Sequence, residues 1–157
     1  MSVTIPVYDL RIVRTTSFRT EAKQINGPED AAAILSGYLA DADRERFVVI
    51  TLDAKHRVTG LHTAAIGTLD RVEIHPRDVF KIAVRLNAAA IIVGHNHPSG
   101  DVTPSEEDAR LTRRVFDAGI LLGIPLLDHL IVGDGDDYVS YQSTPTRFPG
   151  VRAAESR

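Results

Sequence analysis

Cysteine is missing altogether from the 157 residues. Disulfides are thereby excluded, and so are thiolate-bound zinc and iron–sulfur clusters; any metal must be held by His, Asp or Glu. Also missing is an apolar run near the roughly 20 residues needed to span a bilayer. The opening residues, MSVTIPVYDLRIVR, lack the charged-then-apolar layout of a secretory leader. A soluble, cytoplasmic protein without membrane association is expected. Low-complexity tracts and internal repeats are absent as well. There is no basic surplus, since Lys plus Arg number 18 against 21 Asp plus Glu, a formal net charge of −3. Duplex-binding domains usually carry a clustered basic face, so nucleic acid is not the first expectation for a partner. Whether the chain forms a homo-oligomer is left open.

What is present is ordinary globular usage, with 43% hydrophobic and 25% charged residues. The length suits one domain and can bury a core without staples. Residues 7–14 (VYDLRIVR) alternate imperfectly and read as a strand, and Asn26-Gly27-Pro28 reads as a turn and helix start. A helix is expected over roughly 29–40, then a buried strand at 47–53 (FVVITLD) that forms a hairpin with 58–67. His75-Pro76 opens a second helix, with Val79, Ala83 and Leu86 at helical spacing. A second buried strand (89–94) runs into His95-Asn96-His97-Pro98, and a third helix spans about 104–122. Strands at 124–132 and 138–141 flank a turn at 133–137, and the tail after 143 is expected to fray. The fold class is α/β, a mixed and mostly antiparallel sheet flanked by helices. Residues 1–25 read as an N-terminal strand and linker, 26–142 as the domain, and 143–157 as a tail.

The chemistry concentrates in HNHPSGDVTPSEEDARLT, residues 95–112. His95 and His97 are two apart at a strand end, so their imidazoles share a face. Thr103 suits an N-cap, Pro104 the first helical position, and Thr103-x-x-Glu106 matches a capping box. In that phase Ser105 and Asp108 share the helix face of Leu111, Val115, Ala118 and Leu122, all read as core. Asp108 therefore extends an apolar stripe inward, where an ionised carboxylate is costly unless paired or bound to metal. An HxH pair alone is weak and more often a turn with solvated imidazoles. With PSxxD beside it, His95, His97 and Asp108 make a candidate zinc site with a fourth position open to water. Asn96 alternates away and reads as a loop-forming group, and His129 in LLDHLIV as a structural group or one that supports a ligand. Asp53 is read as shaping a turn, and His56, His62 and His75 are given no chemistry.

His95-x-His97-Pro98 with Ser105 and Asp108 resembles the JAMM motif of MPN+ metalloproteases, and more closely the JAMM domain of the bacterial RadC family. Gly67-Thr68-Leu69, His75-Pro76-Arg77-Asp78, Asn87-Ala88-Ala89-Ala90 and LLDHLIVG (126–133) add to the likeness, which covers about residues 25 to 142. It implies an MPN/JAMM, cytidine-deaminase-like architecture with one zinc ion per chain. It also implies a glutamate outside the ligand set that takes a proton from the zinc-held water. Glu45, just before FVVITLD, matches the family's Glu–x–Phe pattern, with Glu73 and Glu21 as fallbacks. Ser105 resembles the serine that donates to the oxyanion. The implied function is hydrolysis of a peptide or of an isopeptide in a protein conjugate. The alternatives are a non-catalytic MPN scaffold, which would have lost motif residues, and a DNA-associated accessory protein. Full-length members also carry an N-terminal helical region resembling helix–hairpin–helix units. These 157 residues leave no room for one, which weakens an inherited DNA role.

Overall fold

The computed structural model describes residues 1–67 and 74–143. Its elements run α1 (Pro28–Leu39), β1 (Arg46–Leu52), β2 (Val58–Ile66), α2 (Pro76–Arg85), β3 (Ala90–Asn96), α3 (Glu106–Leu122), β4 (Leu126–Val132) and β5 (Tyr138–Ser140). The strands form one sheet in the order β2-β1-β3-β4-β5. Only the β3–β4 pair is parallel; β1 is antiparallel to both β2 and β3, and β4 to β5. This is the expected mixed, mostly antiparallel sheet flanked by helices.

The continuous apolar runs have a simple cause, because β1 and β3 are central and covered on both faces. From β1, Val48, Ile50 and Leu52 pack with Ile34 and Leu35 of α1 on one face. Phe47 and Val49 pack on the other face with Val79 and Phe80 of α2 and Val115 of α3. Each such fully buried side chain contributes about 1.5–3 kcal/mol. The approach of α1 is so close that a side chain at Gly94 of β3 would collide with Leu35. α3 ends at Gly123, whose φ of 70° is the left-handed cap glycine favours. The parallel β3–α3–β4 unit places the end of β3 beside the start of α3, and that junction carries the site.

Several expectations are corrected. Residues 7–14 form no strand; the first 23 residues have no regular structure, and Val3, Ile5, Val7 and Tyr8 are exposed. Alternation makes a strand only where a partner ladder exists, and among the described residues the chain before α1 pairs through the single bridge Gln24–Arg57, beyond this segment. β3 extends through His95 and Asn96 instead of stopping at 94, and α3 begins at Glu106. The buried stripe of α3 is Asp108, Thr112, Val115 and Gly119; Leu111 and Ala118 are only partly buried, and Leu122 is exposed. Asp53 does shape its turn, accepting from the backbone of Lys55 and Arg57 at 2.8 and 2.9 Å. The tail expectation from 144 onward, Thr68-Leu69 and Glu73 lie outside the described residues.

Candidate metal centre

The site is built where β3 runs out. His95 faces the α2/α3 side, and its ring stacks on Phe47 of β1 at 6.0 Å between centroids. His97 follows the strand, still tied to β4 by its N–H donating to the Val132 carbonyl at 3.3 Å. α3 then brings in the carboxylate. Its N-cap is Ser105, not Thr103, and the box partner is Asp108, not Glu106. The Asp108 N–H donates to Ser105 Oγ at 3.1 Å, and the Ser105 N–H donates to Asp108 Oδ2 at 2.8 Å. Thr103 instead has its N–H on Asp101 Oδ1 at 2.9 Å. The shift of two residues places Asp108 in the first helical turn with its carboxylate held by the cap.

Two ring nitrogens and one carboxylate come together. His95 Nε2 lies 3.0 Å from His97 Nε2 and 3.2 Å from Asp108 Oδ1, and His97 Nε2 lies 3.5 Å from Asp108 Oδ2. Among the described residues, His95, His97 and Asp108 form a group that could hold a metal ion. The spacing fits one, since donors about 2.0–2.2 Å from a tetrahedral ion stand roughly 3.3–3.6 Å apart. The protons fit as well. His97 Nδ1 is 2.6 Å from the Asp101 carbonyl, which can only accept, so Nδ1 carries the proton and Nε2 presents a lone pair. His95 Nδ1 is engaged by His129 Nε2 at 2.9 Å. Burial pushes the Asp108 carboxyl up, but the facing His95 imidazole and the Ser105 cap outweigh it and hold the carboxyl well below the usual range. Asp108 is thus an anion facing two imidazoles.

The other predicted residues are placed around this group. Ser105 Oγ accepts the Asp108 N–H in the cap, and its side chain also faces the Asp108 carboxylate. Glu45 is exposed, is not part of the three-donor group, and sits one residue before β1. Glu45 lies two residues before Phe47, the cross-strand partner of His95, just beyond the end of that pairing. Its carbonyl accepts from Gly67 at 2.6 Å. Asn96 does face away from the imidazoles, but it belongs to β3 and is no loop-former. Its Oδ1 accepts from the Arg46 N–H at 2.8 Å, and its Nδ2 donates to the Arg44 carbonyl at 3.0 Å, bracketing Glu45. Glu21 is exposed in the segment without regular structure. His75 caps α2, His129 is fully buried behind His95, and Tyr141 stacks on His129 at 5.0 Å. Sequence reasoning missed Thr112, although its place four residues after Asp108, on the same helix face, was a usable signal.

A cleft of about 520 Å³ opens beside His97, lined by Asn96, Pro98, Asp43, Val132 and Asp134 among others. No helix among the described residues is long and apolar enough to cross a membrane. The chain is similar to UPF0758 proteins of several bacteria. That of Moorella thermoacetica is 47% identical over 122 residues, 78% of this chain and 53% of the relative. That of Desulforamulus reducens is 48% identical over 110 residues, 70% of this chain and 48% of the relative. That of Thermosynechococcus vestitus is 46% identical over 121 residues, 77% of this chain and 48% of the relative. The chain therefore spans about half the length of these relatives. The family described as "RadC-like JAB domain" matches residues 25–146, most of the chain, and with the fold and the His-His-Asp group it shows that the chain belongs to the RadC family of JAB-domain proteins.

Proposed function

We propose that this domain is a zinc-dependent hydrolase of peptide or isopeptide bonds. The observation that carries the reading is the grouping of His95 Nε2, His97 Nε2 and the Asp108 carboxylate, whose two oxygens each approach one imidazole. Two imidazoles and one carboxylate, with no thiol in the chain, suit a catalytic zinc with one open position. Zinc held there would supply Lewis acidity and lower the pKa of a water from about 15.7 to roughly 7. Glu45, outside the ligand set and two residues before Phe47, the cross-strand partner of His95, is the group to take the proton of the attacking water and pass it to the leaving amine. The Ser105 hydroxyl, at the N-cap of the helix that carries Asp108, is the group to donate to the carbonyl oxygen as charge builds on it.

The test is cleavage of a peptide and isopeptide library by the zinc-loaded protein and by Glu45→Gln. Gln keeps the shape and cannot take the proton. The variant should retain its zinc, and turnover should fall by about 10²–10⁴. Wild-type turnover in Glu45→Gln would remove Glu45 from the reading. A fully loaded protein that cleaves no member of the library would point to a scaffold instead.

A further inference from the structure

Behind His95 runs a line of buried polar groups that ligation alone does not explain. His95 Nδ1 is 2.9 Å from His129 Nε2, His129 Nδ1 is 2.5 Å from Thr112 Oγ1, and Thr112 Oγ1 is 2.6 Å from the Asp108 backbone carbonyl. His95, His129 and Thr112 are 1%, 0% and 3% exposed, so their polar atoms must be satisfied inside the protein.

The direction of every bond follows from the far end. A peptide carbonyl can only accept, so the single proton of the Thr112 hydroxyl goes to Asp108. Thr112 Oγ1 is then an acceptor toward His129, whose proton must sit on Nδ1. His129 is fully buried and its ring nitrogens meet Thr112 Oγ1 and His95 Nδ1, neither of them an anion, so an imidazolium would be uncompensated there; the ring is neutral and has only one N–H. Its Nε2 is therefore an acceptor, and His95 donates to it from Nδ1. That leaves His95 Nε2, the atom facing Asp108 and His97, as a lone pair. In the opposite order Thr112 would donate to His129, His129 to His95, and the proton on His95 would block ligation. Thr112 Oγ1 and the Asp108 carbonyl oxygen would also face each other as two acceptors at 2.6 Å.

We propose that Thr112 and His129 are positioning residues that fix His95 in the one tautomer able to ligate a metal; this rests on the metal reading of the site. Asp108 closes the loop, because its carboxylate belongs to the donor group and its carbonyl sets the proton order. α3 thereby supplies a ligand and, one turn later, the residue that readies another.

Two measurements test it. Nitrogen-15 NMR of the metal-free wild type at neutral pH should show His129 protonated on Nδ1 and bare on Nε2; the reverse tautomer overturns the proposal. Zinc titration should show Thr112→Val, which keeps the shape and removes the hydroxyl, binding about 10–100-fold more weakly than wild type. Thr112→Ser should restore most of the affinity. Thr112→Val binding zinc as tightly as wild type overturns the proposal, as does failure of Thr112→Ser to recover. If Thr112→Val does not fold, the wild-type spectrum and Thr112→Ser still decide. A wild type that takes up no zinc contradicts the metal reading instead, and the His129 tautomer is still read in the metal-free protein.

Discussion

At the residue scale, the three donors were legible because their geometry is local. Strand alternation pairs His95 with His97, and a helix just downstream can present Asp108. Glu45 was legible only through the family likeness, since nothing in DADRER sets one charge apart. Asn96 shows what alternation leaves out: it gives the side on which a side chain lies but not its partners, and here the partners are backbone groups some 50 residues away. If Asn96 holds Glu45 in place, Asn96→Ala removes both bonds around it. At about 1 kcal/mol per hydrogen bond, turnover should fall on the order of tenfold with zinc content unchanged, read by steady-state kinetics beside elemental analysis. Unchanged turnover would mean that the 44–46 backbone holds itself. Thr112 was not legible as a partner of His129, because that contact appears only once β4 lies beside β3.

At the element scale, the central strands and all three helices were readable from apolar runs and helical spacing, because burial on both faces leaves its mark in composition. The start of α3 was not. Thr103, Pro104 and Ser105 all favour a helix start, and local preference chose Thr103-Pro104. The structure uses Ser105, whose box partner is Asp108. Ser105→Ala should therefore cost about 0.5–2 kcal/mol in urea unfolding and weaken zinc binding, since the cap holds the ligand. Thr103→Ala should change zinc affinity little. The opposite ranking would restore the sequence-based cap. On the other face, Gly94→Val must push Leu35 and α1 away from β3, and should destabilise the fold by about 1–3 kcal/mol in the same experiment. Residues 7–14 fail as a strand because their pattern meets no ladder, which is a property of the sheet's edge and not of the segment.

At the scale of the whole molecule, site and core share groups, so stability should follow the site's chemistry. His129 is buried in the neutral form and lies well below the ordinary value of 6.5. As pH falls through about 6.5, the unfolded chain takes up a proton there that the folded one refuses. Stability of the metal-free protein should be full above that point and decline below it, by up to about 1.4 kcal/mol per pH unit. Asp108 acts lower down: its folded-state pKa is depressed, so its contribution is present above its ordinary 3.8 and lost as pH falls through the folded value. Urea midpoints of stripped protein at pH 7.5, 6 and 5 check the His129 window, and a flat profile there would contradict a buried neutral imidazole. The central claim is the metal centre itself, and calorimetric titration of zinc into the stripped protein tests it most directly. The account predicts uptake of one zinc per chain by wild type and loss of tight binding in His97→Ala. No uptake by wild type, or His97→Ala binding with unchanged affinity, would contradict it.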